Sequence, residues 1–160
     1  DFSPEKISAV DMGYVFENLV RRFSESYNEE AGAHFTSRDI IYLMSDLLVA
    51  GDESAFTGGG ISKTVYDMTM GTSQMLTCME ERLKQMDADA DVTVFGQEFN
   101  PFTFGIAKAD MLIRGGDPNN MQFGDTLSDD KFSGYKFDYI ISNPPFGILG
   151  NVKKRKLEMI

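Results

Sequence analysis

The stretch Asp138-Tyr139-Ile140-Ile141-Ser142-Asn143-Pro144-Pro145-Phe146 decides how the rest of this chain is read. Its apolar, β-branched run has the composition of a buried strand. The run stops at Asn143-Pro144, because proline has no N–H to give to a sheet ladder. A strand that ends on an amide, rigid proline carbonyls and an aromatic ring suits a planar group bearing an NH2. The Asn143 amide oxygen and a proline carbonyl accept its hydrogens, and the Phe146 ring stacks on its face.

Upstream the pattern alternates between strand and helix. Thr64-Val65-Tyr66 is a short strand, and Met75, Leu76, Met79, Leu83 and Met86 form the apolar face of a helix over 73–86. Residues 92–96 make a second strand. Pro101 opens a helix running through Phe104, Ala107, Met111 and Leu112, stopped by Gly115-Gly116. Met121-Gln122-Phe123 is a third strand and residues 137–142 a fourth, joined by an irregular link or a single turn of helix over 124–136. Strands separated by helices predict a mostly parallel sheet with right-handed crossovers, an α/β fold.

Ahead of the sheet, Ser3-Pro4-Glu5 and the spacing of Val15, Phe16, Leu19, Val20 and Phe23 predict a helix over 4–28. Thr36-Ser37-Arg38-Asp39 resembles a capping box. It predicts a second helix with Ile40, Met44, Leu47 and Leu48 as its apolar face, ending near Gly51. The expected division is a helical segment over 1–50 packed on an α/β domain that begins at 51 and continues to 160. Gly58-Gly59-Gly60-Ile61-Ser62-Lys63-Thr64 is not a P-loop: it lacks the Gly before the Lys and precedes a strand where it should follow one.

Composition narrows the chemistry. The single Cys78 and single His34 exclude an internal disulfide and any Cys-based or His-rich metal centre. No apolar run approaches the ~20 residues of a membrane span, and the cytoplasm is the expected compartment. The net charge is −10, although four basic residues (Lys153, Lys154, Arg155, Lys156) crowd the last ten positions. A chain this acidic lacks the basic face of a protein that holds nucleic acid alone, so any phosphate contacts come from a partner. The basic run itself reads as a solvated face.

In an open parallel sheet, ligands bind at the carboxyl ends of the strands. Four features fall there. After the first strand come Asp67 and Gly71, where a glycine lets the backbone approach a ligand ahead of a helix N-terminus. After the second comes Glu98, placed to hold the hydroxyls of a ribose. After the third comes Asp125, within reach of an adenine amino group, and after the fourth come Asn143, Pro144, Pro145 and Phe146. Each alone is ordinary. In this order they describe an adenosine-bearing cofactor across three strands and an amino-bearing substrate at the fourth.

On these residues the chain resembles the modification subunit of type I restriction-modification systems, an S-adenosylmethionine-dependent DNA adenine-N6 methyltransferase. The matching stretches are Phe35-Thr36-Ser37-Arg38, Tyr66-Asp67 onward to Leu76, Gly96-Gln97-Glu98-Phe99-Asn100-Pro101, Ile106-Ala107-Lys108, Asp125-Thr126-Leu127 and residues 137–147. The resemblance implies a Rossmann-like methyltransferase fold and S-adenosyl-L-methionine as cofactor. It implies that Phe35 and Thr36 close over the methionine end, that Asp67 and Gly71 meet the amino acid moiety, that Glu98 meets the ribose and Asp125 the adenine. Asn143, Pro144, Pro145 and Phe146 would hold a flipped adenine, with no metal required. It also implies a separate specificity subunit that engages DNA, a restriction subunit, and a sheet of about seven strands, so that 51–160 is the first part of a longer catalytic domain and inactive by itself.

One departure carries an alternative. The family pattern in the first loop is Asp-Pro-Ala/Thr-Cys-Gly-Ser/Thr-Gly-Gly, whereas this chain has Asp67-Met68-Thr69-Met70-Gly71-Thr72-Ser73-Gln74. If the last two positions need positive φ, side chains there strain the loop. A degenerate module kept for assembly is then the competing expectation. Asn-Pro-Pro-aromatic also occurs in glutamine-N5 methyltransferases of release factors and guanine-N2 methyltransferases of ribosomal RNA. The Phe35-Thr36 and Gly-Gln-Glu-Phe-Asn-Pro stretches argue against both.

Overall fold

Four parallel strands in the order β3-β2-β1-β4 form the frame of the computed structural model, which describes residues 36–145 together with the helical residues Val15, Asn18, Leu19 and Arg22. The strands are β1 (Ser62–Asp67), β2 (Asp91–Glu98), β3 (Met121–Phe123) and β4 (Tyr139–Ile140). The helices are α1 (Arg38–Val49), α2 (Gln74–Met86) and α3 (Pro101–Ile113), with 3-10 turns at Glu53–Thr57 and Pro118–Asn120. The predicted helix over 4–28 is represented only by those four helical residues. Phe35, Phe146 and the basic run at 153–156 lie outside the described residues. Among the described residues no helix is long and apolar enough to cross a membrane.

The register is fixed by β1, whose Val65 faces Val94 on one side and Tyr139 on the other. Gly96 to Glu98 of β2 pair with Met121 to Phe123. This order reverses at β1, between β2 and β4, and α/β sheets form their ligand crevice at the carboxyl edge of such a switch. The core lies between the sheet and α2, where Val65, Leu76, Cys78, Met79, Leu83 and Met121 are sealed from solvent.

The strand and helix order matches the sequence expectation, with three local corrections. The buried stripe of α1 is Ile41, Ser45 and Val49, whereas Ile40 and Leu47 are exposed and only Met44 of the expected face packs partly on the core. Two apolar stripes compete on this helix. The buried one contains the small Ser45, whose hydroxyl donates to the Ile41 carbonyl at 2.8 Å and so spends its polarity within the helix. The capping box does not form: Ser37 is the N-cap, without a side-chain bond to the first turn, and the Thr36 hydroxyl is engaged elsewhere. Strand β4 pairs over Tyr139–Ile140 only, where 137–142 was expected. Asp138 replaces the ladder at its start, its Oδ2 accepting from the Thr64 N–H at 2.8 Å and the Thr64 hydroxyl at 2.7 Å. At its end the Ile141 N–H donates to the Tyr66 carbonyl at 3.0 Å before the prolines stop the ladder.

Candidate active site

The four predicted strand-end features converge on the carboxyl edge and are stitched together by side chains. Asp67, the last residue of β1, is 1% exposed. Its Oδ1 accepts from the Thr69 N–H at 2.9 Å and the Ser142 hydroxyl at 2.8 Å, while its Oδ2 is buried with no hydrogen-bond partner. Burial pushes the Asp67 carboxyl up to about 7; the Thr69 and Ser142 bonds oppose this, and the nearby Glu98 charge adds to it. A buried carboxylate oxygen left without a donor is costly, and a hydrogen-bond donor brought to this strand end would relieve that cost.

Glu98 ends β2 and folds its carboxylate back over the first loop. Its Oε2 accepts from the Gly71 N–H at 2.9 Å and its Oε1 from the Asn100 N–H at 2.7 Å. A carboxylate offers about four lone-pair sites, so both oxygens retain capacity for a ligand's hydroxyls. Gly71 sits at φ +55, a left-handed turn that brings its amide to Glu98. The Met70 N–H donates to the Gln97 carbonyl at 3.1 Å, which lays the loop on β2. Gly96 makes that approach possible: a Cβ there would lie 2.2 Å from the Met70 sulfur and 3.0 Å from its Cβ.

Asp125 follows β3. Its Oδ1 accepts from the Leu127 N–H at 3.1 Å and its Oδ2 from the Ser128 hydroxyl at 3.1 Å, an Asx turn that holds the carboxylate at the edge. The next residue, Thr126, donates to the Met68 carbonyl at 2.6 Å and ties this loop to the first. Asn143, three residues past β4, donates from Nδ2 to the Thr36 hydroxyl at 3.0 Å. The upstream Thr36 and the Asn-Pro-Pro stretch, 107 residues apart, therefore meet. The bond uses the amide nitrogen and leaves Oδ1 as an acceptor. Asn143, Pro144 and Pro145 are exposed.

Four residues beside the site were not foreseen as part of it. Ser142 bonds both Asp67 and Thr69, the latter at 2.6 Å, and so joins the loop after β1 to the residue before Asn143. Gln97 is fully buried; its Nε2 donates to the Asp129 carbonyl at 2.8 Å and its Oε1 accepts from the Lys131 N–H at 3.0 Å, clamping the loop that carries Asp125. Apolar Phe99 and Leu127 stand exposed beside the two acids in sequence. The available signal was position: a polar residue in or just past a strand end, such as Gln97 or Ser142, has a partner outside the strand.

The parallel sheet with its helices is part of a Rossmann-like methyltransferase fold. The model of the N-6 DNA Methylase family matches residues 8–158, and the chain belongs to that family. It is 27% identical over 135 residues to the Type I restriction enzyme MjaIX methylase subunit of Methanocaldococcus jannaschii, and 29% over 146 residues to the HindI methylase subunit of Haemophilus influenzae. Those alignments cover 84% and 89% of this chain but 22% and 31% of the relatives, so the chain spans less than a third of their length. The crystal structure of the type I restriction-modification system methyltransferase subunit from Streptococcus thermophilus superposes with a TM-score of 0.69 at 27% identity, over 90% of this chain and 29% of that one.

Proposed function

We propose that this chain is the first part of the catalytic domain of an S-adenosylmethionine-dependent DNA adenine-N6 methyltransferase, acting as the modification subunit of a type I restriction-modification complex in the cytoplasm. The observation that carries the reading is the buried Asp67 carboxyl, whose Oδ2 has no partner while its Oδ1 accepts from Ser142, the residue before Asn143. The residues fit the cofactor. Asp67 and the Gly71 turn would meet its amino acid moiety, Glu98 its ribose and Asp125 its adenine, with Phe35 and Thr36 closing over the methionine end. When bound, S-adenosylmethionine supplies an electrophilic methyl group on a sulfonium.

The chain's own residues prepare the acceptor. An adenine amino nitrogen is a poor nucleophile because its lone pair is delocalised into the ring. Asn143 Oδ1 and the Pro144 carbonyl would accept its two hydrogens and favour the tetrahedral nitrogen that attacks. Thr36, by holding Asn143 Nδ2, fixes which end of the amide faces the base. Pro145 keeps the backbone rigid, and Phe146 would stack on the flipped ring. The acidic charge favours DNA held through a specificity subunit, with a restriction subunit completing the complex.

Isothermal calorimetry of the full-length protein with S-adenosylmethionine tests the reading against an assembly-only module. Micromolar binding supports the enzyme; a folded protein that takes up no cofactor contradicts it.

A further inference from the structure

Ser73 is the one residue other than glycine with positive φ among the described residues (φ 71), and it is completely buried. It is the N-cap of α2 yet makes no side-chain bond to that helix. A left-handed, buried serine between the Gly71 turn and the helix start needs something to hold it, because a side chain there opposes the backbone. Gln74, at the other altered position, is the first helical residue and carries no such strain.

The Ser73 hydroxyl donates to Asp110 Oδ2 on α3 at 3.3 Å, and the Thr77 hydroxyl donates to the same oxygen at 3.4 Å. Asp110 is itself buried and is held by Arg114, whose Nε donates to both carboxylate oxygens at 3.0 and 3.1 Å. Arg114 also pairs with Glu81 at 3.7 Å, and Glu81 accepts from the Tyr42 hydroxyl of α1 at 3.1 Å. The carboxylate that meets Ser73 is thus fixed from three helices. None of these groups belongs to the ligand-facing edge described above.

We infer that Asp110 is a positioning residue that holds the cofactor loop in its binding shape through the hydroxyl of Ser73, with Arg114 orienting its carboxylate. The inference rests on the cofactor-site reading and goes beyond it. The chain keeps a serine where backbone geometry favours glycine, and a charged acceptor on α3 compensates. Removing the acceptor frees the serine to leave the left-handed region, and the Gly71 amide then leaves Glu98.

The test is a double-mutant cycle in the full-length protein with two readouts: hydrogen exchange of the amides in loop 68–74 without cofactor, and calorimetric affinity for S-adenosylmethionine. Asp110→Ala is expected to speed exchange in the loop and weaken binding about tenfold, the loss of one hydrogen bond to a charged group. Asp110→Asn, which keeps an acceptor, restores both. In the Ser73→Gly background, Asp110→Ala no longer changes loop exchange, although it lowers the unfolding temperature in both backgrounds. Equal acceleration of loop exchange in the two backgrounds overturns the inference, as does unchanged exchange in Asp110→Ala alone. If loop exchange follows the cycle but no variant binds cofactor, the positioning role stands and the methyltransferase reading fails.

Discussion

Asp67 gives the most quantitative prediction. Its carboxyl is raised from 3.8 to about 7, first by burial and then by Glu98. A carboxyl whose folded value lies above its unfolded one contributes stability that is complete below the unfolded value and is lost as pH rises through the folded one. A shift of about three units corresponds to about 4 kcal/mol lost between pH 4 and pH 8. Asp67→Asn removes the charge and keeps an oxygen for the Thr69 amide and the Ser142 hydroxyl. The new amide nitrogen inherits the unpartnered position of Oδ2, at a cost of about 1–3 kcal/mol. Denaturant unfolding of full-length wild type and variant across pH 5 to 8.5 should therefore show the variant gaining on the wild type as pH rises, ending about 1–3 kcal/mol ahead. Cofactor binding runs the other way. A cationic ligand group beside Oδ2 stabilises the ionised form, so wild-type affinity for S-adenosylmethionine should rise by up to about tenfold per pH unit approaching 7 and then level off. In Asp67→Asn this slope is absent. A stability difference and an affinity that are both flat from pH 5.5 to 8 would refute the reasoning.

Asn143→Ala should lower methyl transfer by at least about 100-fold, the scale of a lost transition-state hydrogen bond, and leave cofactor affinity nearly unchanged; steady-state kinetics beside calorimetry separates the two, and normal turnover removes Asn143 from the mechanism. Gly96→Ala places a methyl group 2.2 Å from the Met70 sulfur and 3.1 Å from Leu76 Cδ1. It should cost about 1–3 kcal/mol in thermal unfolding and weaken cofactor binding by lifting the loop. Gln97→Ala leaves the Asp129 carbonyl and the Lys131 amide without their partner. Hydrogen exchange should accelerate over 124–131, with a loss of about 1–3 kcal/mol in stability.

The strand and helix order was legible because the hydrophobic period switches between two and 3.6 at glycine, proline and asparagine, as at Asn100-Pro101, where the Asn100 side chain caps α3. The positions of Asp67, Glu98, Asp125 and Asn143 at the carboxyl edge followed from that order. The face of α1 did not, since the more apolar stripe begun by Ile40 is the exposed one, and the stripe begun by Ile41, interrupted by Ser45, is the one buried where α1 packs against α2. The bonds that assemble the site were invisible for a different reason. Ser142 to Asp67 and Asn143 to Thr36 span 75 and 107 residues, and no local pattern encodes such pairs. The strain expected where Ser73 and Gln74 replace glycines was half right: Ser73 is left-handed, Gln74 is not, and the compensating Asp110 lies 37 residues away on another helix.

The central claim is that this chain's strand ends serve N6 methylation of adenine in DNA. Its most direct test is incubation of the full-length protein and its partner subunits with methyl-labelled S-adenosylmethionine and either DNA, ribosomes or a release factor. Label recovered as N6-methyladenine in DNA, and lost in Asn143→Ala, is the predicted result. Label in ribosomal guanine or in a release-factor glutamine, or none in any acceptor while cofactor is bound, would contradict it.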